Sequence, residues 1–144
     1  ALEIWCRAAA WSGKRNLLVD ALTLMRDHFA SRLNLTRATL LGMEAALLAI
    51  DGDVAGAVAG FDDSVARLRA LGATYPMAMT LLDRVTLLPS EPGTPSAAAE
   101  AREIFERLGA RAFIARLDSV LDATRSRRIP SAAPAEPAMS SDGA

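Results

Sequence analysis

Asp63-Ser-Val-Ala-Arg-Leu-Arg-Ala-Leu-Gly-Ala73 and Glu100-Ala-Arg-Glu-Ile-Phe-Glu-Arg-Leu-Gly-Ala110 align without a gap, and their likeness decides the fold. Leu71 and Leu108 stand 37 positions apart. Each ends one amphipathic helical run and opens another. Past the tripeptide only an amphipathic character is shared, carried in the second copy by Phe113, Leu117 and Val120. Self-similarity at a period of about 20–50 residues marks a stacked repeat, in which one hairpin buries its apolar face only against the next. Such a stack works as a shape.

Outward from that pair, helical spacing continues in both directions. A first helix covers about residues 1–12 and ends at Ser12-Gly13, where glycine suits the left-handed position after a helix. A second, about 15–29, places Leu18, Leu22, Met25 and Phe29 on one stripe. A third runs from about Leu33 to Ile50 through Leu40, Leu41, Leu47 and Leu48. Asp51-Gly52-Asp53 stops it, with Asp53 suited to cap the next helix. The fourth, about 54–71, carries Ala57, Phe61, Val65 and Leu68 on one face and Asp62, Asp63, Arg67 and Arg69 on the other. The fifth, about 75–88, ends before Pro89. Ser90 to Pro95 is the one long turn, with Thr94 as N-cap and Pro95 as first helical residue of the sixth helix, about 95–108. Its packing positions are Ala98, Ala101, Ile104, Phe105 and Leu108. The seventh, about 112–124, turns Phe113, Ile114, Leu117, Val120 and Leu121 inward and closes the stack. β-branched residues never cluster into a strand-like run. The expectation is an all-α stack of antiparallel hairpins over 1–124, about seven helices long. Residues 125–144 have too few bulky apolar side chains to offset their ordering entropy, so they are expected to form a disordered tail.

Composition narrows the function classes. Of 144 residues 51% are hydrophobic and only 5% aromatic, so the core is aliphatic and alanine-rich, which favours helix. Sixteen basic and 17 acidic residues are interspersed, leaving a formal charge of −1 and no nucleic-acid footprint. Cys6 is the single cysteine, so no internal disulfide can form. The longest uncharged stretch, around 45–61, is cut by Asp51 and Asp53, and no secretory leader is visible. A cytoplasmic protein without membrane partners is expected. Ala1 stands where an initiator Met would, and Leu2 to Trp5 is already amphipathic. Residues 1–12 are therefore expected to be a helix entered part-way, in a fragment of something longer.

Gly52-Asp53-Val54-Ala55-Gly56-Ala57, followed by Phe61, resembles the tetratricopeptide core G-D-x-x-x-A-x-x-x-F at the start of a repeat's second helix. The resemblance implies that Ala57 lets two helices touch while Phe61 fills the gap one turn on, with Ala45 and Leu48 on the partner helix. The first-helix Trp and boundary Pro of that family are missing. Ala101 to Leu117 looks like the closing segment of the helical-repeat region in large bacterial regulators. Those proteins pair a nucleotide-binding ATPase module with this region and carry a class III adenylate/guanylate cyclase domain or a helix-turn-helix DNA-binding domain. The likeness covers roughly residues 33–123. No cyclase carboxylate, phosphate loop or DNA-reading helix has a matching position here.

Candidate chemistry is sparse. Gly52, Gly56 and Gly60 have the small-residue spacing of close helix packing, and no Gly-Lys-Ser/Thr follows them. His28 stands alone, reading as a helix-end residue at the carbonyl terminus. Cys6 has no partner base and reads as a small apolar side chain. Asp51 with Asp53 brackets a helix junction; Asp62 with Asp63 lies on a solvated face. Arg125, Arg127 and Arg128 form a basic cluster that complements a helix dipole. Trp5, Trp11 and Tyr75 form the candidate interaction surface, lining a concave groove for a peptide; the plainer readings are core positions or, for the two tryptophans, contacts with a preceding repeat. Ala57, Phe61, Leu68, Ala101, Phe105 and Leu108 form the expected repeat core. No catalytic residue, metal or cofactor is expected. The function expected is a non-catalytic helical-repeat scaffold or interaction region of a larger regulator, with its own upstream domains or another protein as partner. A homodimer through the first helix is a further expectation. The rival readings are an independent peptide-binding module and, least supported by these residues, a small enzyme.

Overall fold

A computed structural model describes residues 2–28 and 34–128. Among the described residues there are seven helices and no strand: α1 (Leu2–Trp11), α2 (Arg15–His28), α3 (Asn34–Ile50), α4 (Val54–Ala70), α5 (Thr74–Leu87), α6 (Thr94–Arg107) and α7 (Arg111–Arg128). Residues 125–128, assigned from sequence to the tail, continue α7 instead. Their arginines fall in a helix's last turn, where cations oppose the macrodipole. The rest of the expected tail, together with Phe29 and Leu33, lies outside the described residues.

One turn is used four times. Gly13, Gly52, Gly72 and Gly109 have φ between 66° and 86°, a region that an L side chain enters only at a cost. At each, the glycine N–H donates to a carbonyl three residues back and the next N–H to one five residues back, as from Gly72 to Arg69 and from Ala73 to Leu68. This is the Schellman arrangement, which satisfies the helix's last carbonyls and sends the chain straight into the next helix. It also explains a correction. Leu108, expected in the core, is 51% exposed, and its counterpart Leu71 is 46% exposed. Both are C-cap residues pointing out of the turn, whereas Leu68 and Phe105, three positions earlier, are fully buried.

The turns put the second helices into register. Leu18, Ala57 and Thr94 correspond, as do Leu22, Phe61 and Ala98, then Met25, Ser64 and Ala101. All nine are buried. The odd-numbered helices touch in series, α1 on α3, α3 on α5 and α5 on α7, with α1 also reaching α5. Helices α2, α4 and α6 each pack on their odd-numbered neighbours, and α4 also reaches α6 through Arg69, which donates to Glu100 at 2.5 Å. The closest joint is α3 on α4. A Cβ added at Gly60 would stand 2.9 Å from Ala45 Cβ, so the small-residue stripe serves close packing. Ser64, buried beside it, donates to the Ala38 carbonyl at 2.7 Å across the same joint. Ala57 and Phe61 are buried as expected; of the two residues proposed on the partner helix, Ala45 is buried against Gly60 and Leu48 is 36% exposed.

The α5–α6 connection departs from the pattern, and Thr94 departs from its expected role. Gly93 is the N-cap of α6 and Thr94 already lies within the helix. Its hydroxyl donates back to the Leu88 carbonyl at 2.5 Å, and the Glu91 carboxylate accepts the Gly93 N–H at 2.8 Å. Asp53 does cap α4, accepting from Gly56 N–H at 2.9 Å. Asp51, the other half of that acidic pair, is engaged by Arg15 through two bonds of 2.5 and 3.0 Å, which hold its carboxyl below the ordinary range.

Two consequences are measurable. Phe61→Ala or Phe105→Ala should cost about 3–5 kcal/mol, whereas Glu106→Ala on the exposed face should stay within about 0.5 kcal/mol. At Gly72 and Gly109 nothing lies within 4 Å of an added Cβ. Gly→Ala there should therefore cost only the backbone strain, about 1–2 kcal/mol. Urea melts followed by circular dichroism measure both.

Candidate functional site

α5 is the most enclosed helix: Met77 to Val85 are nine consecutive buried residues, and the run includes Asp83 and Arg84. A carboxylate placed there loses its water and must find donors. Asp83 is 1% exposed. One oxygen accepts from Arg7 Nε at 2.8 Å and the other from Trp11 Nε1 at 2.8 Å. Arg7 and Trp11 are four residues apart, hence on one face of α1. Arg116 of α7 lies over the Trp11 ring, its Cζ 4.7 Å from the centroid, so a cation closes the far side of the indole. Helices α1, α5 and α7 meet at this point. Burial pushes the Asp83 carboxyl up to about 6, against the opposing pull of the Arg7 charge and the two donated bonds. Arg7 Nη2 and Arg116 Nε are buried with no partner among the described residues.

Next along the chain, Arg84 points to the other side of α5. Its guanidinium donates to Asp62 of α4 at 2.5 Å and to Glu91 of the α5–α6 turn at 3.0 Å. The Arg84 side chain is 10% exposed. Asp62 lies on a solvated face as expected, its side chain 61% exposed, and from there it accepts from this largely buried cation. Asp63 behaves as expected, pairing on the surface with Arg67 one turn away. The α5–α6 turn is pinned closely enough that a Cβ on Gly93 would come within 2.6 Å of Arg84 Nη2.

The three candidate aromatics do not share a surface. Trp11 is half-buried at the Asp83 junction. Tyr75 stands at the opposite end of α5, 48% exposed, with its ring 6.2 Å from Phe113, which in turn stacks on Phe105 at 5.2 Å. Trp5 is 67% exposed on α1 and makes neither contact. Cys6 is buried as expected. Its thiol lies 3.6 Å from Met25 Sδ, and burial pushes it up to about 11, the reverse of what a reactive thiolate requires. The side chain of His28 lies outside the described residues. An open cleft of about 610 Å³ runs between the α5–α6 turn, α6 and α7, floored by Pro89, Pro95, Ala98 and Leu121, with Arg102 and Arg125 at its rim. Both arginines are engaged, by Asp118 and Asp122 respectively. Among the described residues no three His, Cys, Asp or Glu side chains group together, and no helix is long and apolar enough to cross a membrane.

The Asp83 and Arg84 junctions are the functional feature that sequence reasoning missed. The available signal was Asp-Arg inside the run Leu81 to Leu88, whose other residues are apolar except Thr86, together with Arg7 between Cys6 and three alanines. Chemically, a carboxylate enclosed by two donors and a stacked ring holds helices together. Comparison with family models, with curated proteins and with solved structures returns no match.

The junction has a pH signature. The folded carboxyl titrates at about 6 and the unfolded one near 3.8, so the fold takes up the proton first. Its contribution to stability is therefore complete below about pH 4 and is lost as pH rises through about 6. Wild type should gain stability relative to Asp83→Asn between pH 7.5 and pH 4.5 in urea melts. Trp11 emission should shift with a midpoint near 6 in wild type alone. Arg7→Met, which strands the carboxylate, should cost about 3–5 kcal/mol at pH 7.5.

Proposed function

We propose that this chain is a non-catalytic helical-repeat scaffold, or protein-interaction region, of a larger cytoplasmic signalling or regulatory protein. The observation that carries this reading is the repeated register: identical glycine turns bring the same positions of α2, α4 and α6 into the core. A periodic core of this kind builds a surface, extended hairpin by hairpin. Its buried charges join helices to one another, as Arg7 to Asp83 and Arg84 to Asp62 and Glu91. The sequence likeness of Gly52 to Phe61 and of Ala101 to Leu117 to tetratricopeptide-type regions of bacterial regulators supports the same reading. Its partners are then the protein's own neighbouring domains or a second protein.

The gene upstream of Ala1 tests it. A reading frame continuing into an ATPase, cyclase or DNA-binding domain is the expected result. Deleting residues 1–128 from that protein should leave the domain's own catalysis or DNA binding measurable and abolish its response to signal. Loss of the chemistry itself, with the remaining domain still folded, would place a reactive function in this segment and overturn the proposal.

A further inference from the structure

The shared turns allow each residue's surroundings to be compared with those of its counterpart one hairpin on. Gly13 and Gly52 close the same turn with the same bonds, so α1–α2 falls on α3–α4 with a shift of 39 positions. Under that shift Cys6 meets Ala45, Leu18 meets Ala57 and Leu22 meets Phe61, all at most 1% exposed. Some counterparts differ in burial, as Ala9 from Leu48 and Arg26 from Val65, and the widest gap is at one pair. Met43 is 0% exposed, whereas its counterpart Ile4 is 71% exposed, with Trp5 beside it.

Met43 shares an apolar cluster with Leu18, Leu22 and Met25 of α2 and with residues of α1 and α4. Glu44, the counterpart of Trp5, accepts from Arg26 of α2 at 2.9 Å. The second helix of one hairpin thus packs on the first helix of the next at this level. The two ends of the stack differ in this respect. On α7 the outward residues Ala115, Asp118, Ser119 and Asp122 are exposed and small or polar, as in a terminal capping repeat. On α1 the corresponding outward residues are an isoleucine and a tryptophan.

We propose that Ile4 and Trp5 form a receiving edge for an amphipathic helical hairpin, whose second helix packs on α1 in the register with which α2 packs on α3. The incoming helix presents two aliphatic side chains four residues apart, in the manner of Leu18 and Leu22. Opposite Trp5, where the next joint holds the Arg26–Glu44 pair, it presents an apolar side chain or a cation over the indole. The inference rests on the stacked-hairpin reading above and adds which edge is open and what fits it.

The test uses the one hairpin already seen to cover this position. In a Cys6→Ala background, residues 1–39 are duplicated ahead of Ala1, which sets Ile4 at the same distance from the added Leu18 as Met43 stands from Leu18, and Ile4→Cys is placed in the original copy only. Labelling of that thiol should be rapid in the 144-residue chain. In the extended chain it should slow by at least about tenfold, because labelling then waits on local opening. Equal labelling rates in the two chains, whether the added hairpin is helical or not, overturn the proposal. So does slow, concentration-dependent labelling in the single chain, which would make the occupant a second copy. Met43→Cys in the single chain separates this from the stacked-hairpin reading. If it labels as fast as Ile4→Cys, that reading itself fails, whatever happens at the edge.

Discussion

Ending a helix without spending extra chain on the reversal demands a residue that tolerates positive φ, and this molecule meets the demand with glycine at four of its turns. The bonds around Gly13, Gly52, Gly72 and Gly109 are the same, so corresponding positions on either side of these turns face inward. The core follows from that constraint. Positions that hold Leu18 and Leu22 in α2 hold Ala57 and Phe61 in α4, and all are sealed. Substitution within the register is free provided the volumes trade off. Gly60 and Ala45 bring α3 and α4 together closely enough for Phe61 to fill the space beside them.

Aliphatic packing of this kind is poorly directional, so helices could slide by a turn at little cost. The buried charges remove that freedom. Asp83 is satisfied in one arrangement, with Arg7 and Trp11 on the same face of α1 and Arg116 stacked over the indole. Arg84 does the same for α4 and the α5–α6 turn. Replacing a buried pair by apolar residues is often neutral in stability, so the contribution of these pairs is to uniqueness of arrangement.

Much of this was legible in the sequence. Helical period, glycine punctuation and the Leu-Gly-Ala repeat fix the class and the element order, because they report local backbone preferences. The caps were less legible. Leu108 looked like a core residue because it is apolar and follows Phe105 at helical spacing, yet it is the residue that turns outward as the helix ends. Thr94 looked like a cap because threonine usually is, but Glu91 and Gly93 take that role in a turn held from a distance by Arg84. The Asp83 junction was illegible for a different reason: its members come from Arg7, Trp11, Asp83 and Arg116, and no periodicity links positions so far apart. Trp11 was grouped with Trp5 and Tyr75 as an exposed aromatic, and only tertiary packing shows that its indole N–H is already engaged.

The span between Arg7 and Asp83, 76 residues, also sets an order of events. Glycine-turn hairpins are made of neighbours and can form as soon as each leaves the ribosome. Helix α1 nevertheless stays unanchored on that face until α5 has emerged, four helices later. During that interval α1 holds a guanidinium with no counter-ion and an indole N–H with no acceptor, both on the face that α5 will cover. Translation beyond residue 83 therefore fastens α1 behind it as well as adding new helix ahead.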